Sequence, residues 1–290
     1  MDKITGTGVA LITPFNEDFS IDFTSLKKLI NHQIEGGIDY LVVMGTTGES
    51  VVLNKQEKKQ IVDFCKKINA GRLPIILGLG SNNTFALVEE IKSTDFDGID
   101  GVLSVSPYYN KPTQDGIYLH YKMIAEVCPL PIILYNVPGR TASNITSETT
   151  LCLANDFDNI VAVKEASGDL QQIAEIIEKR PANFLVLSGD DGLTPKMIEM
   201  GGDGVITVIG QSHPQIFSDM VRAGLAGDFE KANQLHDKLN PIYEPLYIDG
   251  NPAGIKATLN IMGICKNVLR PPLVGVTEET YNNLKRFIEH

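Results

Sequence analysis

Residues 40–50 read Tyr-Leu-Val-Val-Met-Gly-Thr-Thr-Gly-Glu-Ser, an apolar run followed at once by a loop of glycine and hydroxyl residues. The run is apolar on both faces, which is typical of a parallel strand covered on both sides. The loop lacks the GxxxxGK[ST] spacing of a phosphate-binding loop. Its free backbone amides and two adjacent hydroxyls therefore predict a cradle for a small carboxylate, and Thr47 or Thr46 could also pass protons. A plain glycine turn is the alternative, since Gly45 and Gly48 permit positive φ.

The same alternation of apolar runs and amphipathic segments continues along the chain. The predicted strands are residues 8–12, 40–44, 75–79, 101–105, 132–135, 160–164, 184–187 and 204–208. The predicted helices between them are residues 22–36, 55–69, 84–93, 115–127, 147–154, 169–179, 193–200 and 214–223. Thr84, Thr113, Ser147 and Asp169 are predicted N-caps. Eight such units predict a (β/α)8 TIM barrel of the α/β class, ahead of a doubly wound sheet.

The chain beyond the eighth unit has no further strand signal. Residues 229–246, 253–262 and 278–288 have the pattern of helices. We therefore predict a catalytic barrel over residues 1–225 and an appended C-terminal helical subdomain over residues 226–290.

Charge and cysteine usage exclude several classes of function. The net charge is −11 and the pI about 4.9, which argues against nucleic-acid and anionic-membrane partners. No apolar run approaches membrane-spanning length, and Met1–Thr5 does not begin a signal peptide. The cysteines lack CxxC spacing: Cys65, Cys128, Cys152 and Cys265. These features predict a reduced, cytoplasmic protein.

Lys164 ends the sixth predicted strand. It shares parity with Ile160 and Ala162, so we expect all three side chains to point into the barrel. A lysine between apolar walls loses its proton more readily and can attack a carbonyl to form an imine. The alternative is pairing with an acid such as Glu165, although adjacent strand residues face opposite sides.

Other polar residues follow neighbouring strands, where the active site of such a barrel lies. Tyr135 could act as a general acid/base or could simply be a packing residue. Arg140 could bind a carboxylate bidentately or remain a surface arginine. Tyr108 and Tyr109 follow Pro107 in a loop, and exposed aromatic residues of this kind often serve interfaces.

The histidines give no evidence for a metal centre. None of His32, His120, His213, His236 and His290 pairs at metal-ligand spacing, which disfavours a metal-dependent aldolase. No GxGxxG follows a strand, so no cofactor is predicted.

Taken together, the motifs resemble the dihydrodipicolinate synthase family of the N-acetylneuraminate lyase superfamily, over essentially all 290 residues. The motifs that carry this resemblance are residues 13–15, 45–50, 107–112, 135–141 and 163–169. The resemblance implies condensation of pyruvate with L-aspartate 4-semialdehyde on the way to lysine and diaminopimelate. It also implies a homotetramer built as a dimer of dimers.

The resemblance also implies residue roles. Lys164 would form the imine with pyruvate, whose carboxylate would be held by Thr46, Thr47 and the backbone at Ile206. Tyr135, Thr47 and Tyr109 would form a proton relay, with Tyr109 crossing from a neighbouring subunit. Arg140 would bind the carboxylate of the semialdehyde, and Gly189 would line the pocket.

Two alternative functions remain open. A sibling Schiff-base enzyme, such as N-acetylneuraminate lyase or a 2-keto-3-deoxy sugar acid aldolase, would share the lysine and the tyrosine. Thr46-Thr47 together with residues 137–141 favours the synthase, because Arg140 provides for a second carboxylate. A barrel that binds a keto acid without turnover would need no nucleophile.

The sequence departs from lysine-inhibited family members at three positions. Lys55 and Lys58 stand where those members carry histidines, and Ala86 replaces a glutamate, whereas Ser50, Asn82 and Tyr108 remain. Two added cations and one lost acid predict weak or absent inhibition by lysine. Gln211 stands where the family often has asparagine, and the sequence does not indicate a consequence.

Overall fold

The computed structural model describes residues 4–289, and within that range eight parallel strands close into a barrel in chain order. The strands are β1 (Gly6–Ala10), β2 (Tyr40–Val43), β3 (Ile75–Gly78), β4 (Gly101–Val105), β5 (Ile132–Asn136), β6 (Ile160–Glu165), β7 (Leu185–Ser188) and β8 (Gly204–Thr207). Because β8 pairs with β1, the sheet has no free edge. The predicted (β/α)8 barrel is confirmed. Met1–Lys3 and His290 lie outside the described residues, as do the predictions made for them.

Each predicted helix is present, with ends that differ by a few residues. The helices are α1 (Phe23–Glu35), α2 (Lys55–Asn69), α3 (Thr84–Ser93), α4 (Gln114–Ala125), α5 (Pro138–Thr141), α6 (Ser147–Asp156), α7 (Leu170–Lys179), α8 (Thr194–Glu199), α9 (Pro214–Leu225), α10 (Phe229–Tyr247), α11 (Ala253–Ile261) and α12 (Glu278–Glu289). The short α5 was not predicted, nor were the 3-10 turns Thr46–Gly48, Ser50–Val52 and Ile209–Gln211.

The predicted helix N-caps are correct at two of four positions. Thr113 accepts a hydrogen bond from Gly116 N, and Asp169 accepts from the amides of Gln171 and Gln172. The caps of α3 and α6 are Asn83 and Thr146, one residue before the predicted ones. In both pairs two adjacent residues are suitable caps, so the sequence alone does not select between them.

Apolar side chains form two layers, one inside the barrel and one between the strands and the helices. The inner layer includes Ala10, Val42, Ile76, Leu103, Ile133, Leu187 and Ile206. The outer layer buries the alternate strand residues against the helices, with side chains such as Leu41, Val163 and Ile173. This two-sided burial explains why each strand is continuously apolar in sequence.

The irregular start of β6 changes one prediction. Ile132 pairs with Ile160, but Ile133 pairs with Ala162, so Val161 is an extra residue at a bulge. Ala162 lies in the inner apolar layer whereas Ile160 lies in the outer one. The expectation that Ile160 shares the direction of Lys164 is therefore wrong, and only Ala162 shares it.

The helices after β8 pack against the barrel and against one another. Helix α10 contacts α8 and α9, while α11 and α12 contact each other and α10. Between Ile4 and Glu289, none of the helices is long and apolar enough to cross a membrane. The segment between α10 and α11 reaches the C-terminal ends of the strands, where it contacts the candidate site.

Candidate active site at the C-terminal ends of the strands

Lys164 and Tyr135 are register partners on neighbouring strands. The Lys164 Nζ lies 4.4 Å from the centroid of the Tyr135 ring. Both residues are buried, at 5% and 7% exposure. Among residues 4–289, no carboxylate forms an ion pair with Lys164. The amine therefore lies against an aromatic face in an apolar barrel, in the position expected of an imine-forming lysine.

Glu165 is held on the opposite side of β6, so the alternative that it pairs with Lys164 is wrong. Its carboxylate accepts hydrogen bonds from Asn136 Nδ2 (3.0 Å), Gln172 Nε2 (2.9 Å) and the Ser167 amide (2.9 Å). Burial raises the pKa of Glu165, and these donors oppose that shift. The contacts hold β5, β6 and α7 together behind the site.

The loop after β2 is a 3-10 turn rather than a glycine turn with positive φ. Neither Gly45 nor Gly48 has positive φ; Met44 (φ 65°) and Glu49 (φ 53°) do. Gly48 instead allows the loop to lie close to the segment after β1, because a Cβ at Gly48 would lie 3.1 Å from Leu11 O. Its carbonyl accepts a hydrogen bond from Thr13 Oγ1 (2.7 Å). The loop is thereby fixed to the end of β1.

The two threonines of this loop have different surroundings. Thr47 is buried, at 3% exposure, and its Oγ1 accepts a hydrogen bond from Asn251 Nδ2 (2.9 Å). Thr46 is exposed. A hydroxyl held in one orientation is suited to proton transfer, whereas an exposed one is free to contact a ligand.

Arg140 lies on α5, close to the segment between α10 and α11 that contains Asn251. Its Nη2 donates to the main-chain carbonyl of Asn251 (3.3 Å), and its side chain is otherwise exposed. Helix α5 begins with Pro138 at its first turn, which suits a short helix directly after a strand. Asn251 therefore contacts both the threonine loop and the arginine, a connection that the sequence did not indicate.

Gly189 and Ile206 lie at the ends of the last two strands. The Gly189 amide donates to Glu165 O (2.7 Å), and a Cβ at this position would lie 3.1 Å from Lys164 Cε. Glycine is thus needed for the lysine to occupy its place. Ile206, at 1% exposure, belongs to the inner apolar layer. Both predicted site residues therefore line the same region as Lys164.

The turn after β8 is held by buried polar residues. Asp191 accepts hydrogen bonds from the Val208 and Ile209 amides and from the Tyr247 hydroxyl (2.5 Å). Burial raises the pKa of Asp191, and these donors oppose the shift. Gln211 is fully buried, and its Oε1 accepts from the Ile12 amide (2.8 Å). Gln211 thus connects the turn to the segment that follows β1.

Glu49 and Lys256 form a buried ion pair beneath the threonine loop. Both side chains are fully buried, and Lys256 Nζ lies 2.5 Å from Glu49 Oε1. Burial lowers the pKa of Lys256, and the Glu49 carboxylate opposes that shift. The Arg270 amide donates to Glu49 Oε2 (3.0 Å), and Lys256 Nζ lies 4.2 Å from the centroid of the Phe15 ring. Residues after β8 thus fix the loop that follows β2.

Tyr109 is not brought into the site of its own chain. Its side chain is 87% exposed and its φ is 77°, a value that few non-glycine residues adopt. The Tyr109 amide donates to Thr141 O (3.3 Å), and the preceding Tyr108 carbonyl accepts from Asn82 Nδ2 (3.1 Å). The loop is therefore held in place although its aromatic side chain projects from the fold.

Two of the described histidines are buried and packed against other side chains. Burial lowers the pKa of His120 and of His213 to about 4. His120 Nδ1 is 2.8 Å from Thr84 Oγ1, and His213 packs against Phe287. In the part of the chain that the structure describes, no three His, Cys, Asp or Glu side chains are grouped as metal ligands.

Comparison with known proteins agrees with this geometry. A model of the dihydrodipicolinate synthetase family matches residues 3–290. The 4-hydroxy-tetrahydrodipicolinate synthase of Flavobacterium psychrophilum is 51% identical over 287 residues, covering 99% of this chain and 98% of that protein.

Solved structures are similarly close. The chloride-inhibited dihydrodipicolinate synthase of Acinetobacter baumannii, in complex with pyruvate, is 37% identical with a TM-score of 0.95, covering 99% of this chain and 98% of that one. A monomeric dihydrodipicolinate synthase variant is 39% identical with a TM-score of 0.96, covering 99% and 97%. The family model and these relatives match the whole barrel, in which Lys164 lies against the ring of Tyr135. The chain therefore belongs to the dihydrodipicolinate synthase family.

Proposed function

We propose that the chain is a 4-hydroxy-tetrahydrodipicolinate synthase, which condenses pyruvate with L-aspartate 4-semialdehyde. The observation that carries this proposal is Lys164 Nζ, which is buried 4.4 Å from the Tyr135 ring centroid without a carboxylate partner among residues 4–289. Support comes from the 51% identical relative that bears this name. The pyruvate complex of the Acinetobacter baumannii enzyme supports pyruvate as the first substrate.

The first half-reaction makes an enamine. The Lys164 amine attacks the C2 carbonyl of pyruvate, and loss of water gives the imine. Loss of a methyl proton then gives the enamine, because the protonated imine accepts the electron pair. Tyr135 and Thr47 would move these protons, since both hydroxyl residues lie at the strand ends. The exposed Thr46, Thr47 and the backbone at Ile206 would hold the pyruvate carboxylate.

The second half-reaction joins the substrates. The enamine carbon attacks the aldehyde of the semialdehyde, forming a carbon–carbon bond and a hydroxyl group. The amine of that substrate then attacks the imine carbon, and expulsion of the Lys164 amine closes the ring. Arg140 would hold the carboxylate of the semialdehyde, because its guanidinium is exposed at the site and fixed at one nitrogen by Asn251 O. Gly189 would line the pocket beside Lys164.

Tyr109 is proposed to complete the site of a neighbouring subunit. Its side chain is 87% exposed on an ordered loop, and Val51 and Phe85 are exposed apolar residues at 84% and 74%. Exposed aromatic and apolar side chains of this kind support an interface. We propose a dimer that shares Tyr109 and a homotetramer formed from two such dimers.

Subunit mixing tests the role of Tyr109. Tyr109→Phe and Lys164→Ala should each be nearly inactive alone. Each mixed dimer has both groups in one of its two sites, so an equimolar mixture, in which about half of the dimers are mixed, should regain about a quarter of the wild-type activity. No recovery, with sedimentation showing that mixed dimers form, would contradict sharing of Tyr109.

Lysine is proposed to inhibit weakly or not at all. Lys55 and Lys58 lie on the first turn of α2, and Ala86 lies on the first turn of α3. Two cations without the glutamate should repel a cationic amino acid. Complete inhibition at sub-millimolar lysine would contradict this proposal. The triple variant Lys55→His, Lys58→His, Ala86→Glu should gain sensitivity to lysine.

The proposal also covers the location, cofactors, partners and domain division of the protein. We propose a cytoplasmic enzyme that needs no cofactor and no nucleic-acid or membrane partner, consistent with the net charge of −11. The division into a catalytic barrel (residues 1–225) and a helical subdomain (residues 226–290) is supported by the end of α9 at Leu225 and the start of α10 at Phe229.

A coupled assay tests the function. Pyruvate and aspartate semialdehyde are supplied with excess dihydrodipicolinate reductase, and NADPH loss is followed. We expect turnover by the wild type, none by Lys164→Ala, and wild-type turnover by Lys179→Ala, which removes an exposed lysine from α7. If borohydride traps pyruvate on Lys164 without turnover, the chain is a sibling aldolase. If pyruvate binds equally well to Lys164→Ala and the wild type does not turn over, the chain is a keto-acid-binding barrel.

A further inference from the structure

Asn136 and Glu165 are register partners on β5 and β6, directly after the partners Tyr135 and Lys164. Because side chains alternate across a strand, Tyr135 and Lys164 face the barrel interior, and the next pair faces the helices. Asn136 Nδ2 donates to Glu165 Oε1 (3.0 Å), while on the inner face Lys164 Nζ lies 4.4 Å from the Tyr135 ring centroid. The two pairs share the same two backbones, so a contact that fixes one pair also fixes the other.

The orientation of the Asn136 amide is set by the main chain. The Ile145 amide donates to Asn136 Oδ1 (3.0 Å), and a backbone N–H can only donate. Nδ2 is therefore the atom that faces Glu165 and Asn144 Oδ1 (2.8 Å). Asn144 Nδ2 donates in turn to Gln172 Oε1 (2.7 Å), which leaves Gln172 Nε2 facing Glu165 (2.9 Å). One backbone amide thus determines the direction of all three side-chain amides.

The Glu165 carboxylate is surrounded by donors alone. Besides Asn136 and Gln172, the Ser167 amide donates to its Oε1 (2.9 Å). A protonated carboxyl group would point its O–H at one of these donors, so the contacts require the ionised form. Among residues 4–289, no cation forms an ion pair with Glu165. A buried anion without a cation depends on its hydrogen bonds, and losing them carries a large cost in free energy.

Strand β6 needs such a contact because its pairing with β5 is irregular. Val161 is an extra residue at the bulge, so the regular ladder does not carry the register from the start of β6 to Lys164. A slip of one residue would turn every side chain beyond the bulge to the other face of the sheet. Lys164 would then leave the barrel interior, and the Glu165 carboxylate would enter it without its donors.

We propose that Glu165 is a positioning residue for imine formation. Its contact with Asn136 holds the end of β6 in the register that places Lys164 against Tyr135. Glu165 faces the helices behind the barrel, so it acts through the strand and not by touching the substrate. The role rests on the proposed function only in that Lys164 is the amine that attacks pyruvate.

The variant Glu165→Gln tests this role, because it replaces an acceptor with a donor. The new NH2 group would face the amide of Gln172 or of Asn136, so a contact of the carboxylate is lost. We expect borohydride trapping of pyruvate, per folded molecule, to slow at least about 10-fold, because small displacements of a reacting group are costly in rate. Far-UV circular dichroism gives the folded fraction. A role in stability alone would lower that fraction and leave the rate per folded molecule unchanged.

The double variant Glu165→Gln, Gln172→Glu moves the carboxylate across the contact. The amide introduced at position 165 would accept from Asn136 and Ser167 and donate to the carboxylate introduced at position 172, which would also accept from Asn144. Because every contact keeps a donor and an acceptor, this variant should fold even if Glu165→Gln does not. We expect it to trap pyruvate within about twofold of the wild-type rate.

A matched control lies on the same helix as Gln172. Glu175→Gln makes the same chemical change on α7, where Glu175 Oε2 accepts from Ser147 Oγ (2.8 Å). It removes no contact between β5 and β6, so it should trap pyruvate at the wild-type rate.

Two results would overturn the proposal. Wild-type trapping per folded molecule by Glu165→Gln would mean that the position of Lys164 does not depend on the carboxylate. A folded double variant that stays about 10-fold slow would assign the effect to the charge at position 165 and not to the contact with Asn136. Trapping without turnover by the wild-type chain would overturn the proposed function and leave this role standing, whereas no trapping by the wild-type chain would overturn both.

Discussion

Replacing Lys256 with methionine should destabilise the protein strongly, because it leaves the Glu49 carboxylate buried without its cation. Lys256 and Glu49 are both fully buried, with 2.5 Å between Nζ and Oε1. The lysine amine also donates to Val268 O (2.8 Å) and lies over the Phe15 ring. Methionine matches the length of the side chain but replaces none of these polar contacts.

The expected loss can be worked from these contacts. Breaking a buried ion pair by removing one partner costs about 3–5 kcal/mol in free energy of unfolding. The Arg270 amide still donates to Glu49, which places the loss toward the lower end of that range. We therefore expect about 3–4 kcal/mol, a large share of the roughly 5–15 kcal/mol that stabilises a typical protein. Because Glu49 follows the threonine loop, KM for pyruvate should rise as well.

Urea unfolding at pH 7, followed by far-UV circular dichroism, measures this loss. The double variant Glu49→Gln, Lys256→Met removes both charges and should be more stable than Lys256→Met alone. Lys59→Met removes a partner from the exposed Lys59–Asp63 pair, whose side chains are 74% and 52% exposed, and should cost less than about 1 kcal/mol. A loss of under about 1 kcal/mol for Lys256→Met, or a double variant no more stable than it, would refute the reasoning.

Three further predictions concern residues around the site. Gly189→Ala would place a Cβ 2.6 Å from Ala166 Cβ and 3.1 Å from Lys164 Cε, and so should displace the lysine. We expect kcat to fall about 100-fold and borohydride trapping of pyruvate to slow. Trapping at the wild-type rate would contradict displacement of the lysine. The pKa of His120 is lowered from 6.5 to about 4, so the unfolded state takes up the proton first as the pH falls. Stability should drop between pH 6.5 and 4, by about 2 kcal/mol at pH 5, and His120→Asn should lack this contribution in unfolding titrations. Tyr247→Phe removes a donor to the buried Asp191 and should cost about 1–3 kcal/mol by urea unfolding; a loss near zero would show that the bond contributes little.

Much of the fold could be predicted from periodicity. All eight strands are confirmed because a parallel barrel strand is buried on both faces and is therefore continuously apolar. The bulge in β6 could not be predicted, because it depends on the register with β5 rather than on the composition of residues 160–164. The left-handed conformations at Met44 and Glu49 were missed for a similar reason. Gly48 allows that loop to lie close to the segment after β1, and contacts with this segment and with the C-terminal region hold the turn.

The candidate site, like the fold, could be predicted only in part from the sequence. Lys164 and Tyr135 could be found because they end predicted strands, and Thr47 because it follows one; strand ends converge in a barrel. Asn251 and Lys256 could not, because they lie after the last strand and reach the site only through tertiary packing. An asparagine before a proline resembles an ordinary turn in sequence. A lysine between apolar neighbours in a mostly apolar helix, as at Lys256, was the one local signal available.

The pairing of Glu49 with Lys256 has a consequence for synthesis on the ribosome. The strand and loop around residue 49 emerge early, whereas the cation that neutralises Glu49 belongs to a helix made after all eight barrel strands. Until that helix docks, the carboxylate has to remain hydrated, so the loop cannot settle into its final burial. A nascent chain should therefore complete the proposed pyruvate-binding loop only near the end of translation. Polypeptides released early would then expose an unfinished loop to chaperones and proteases rather than accumulate as partly active enzyme.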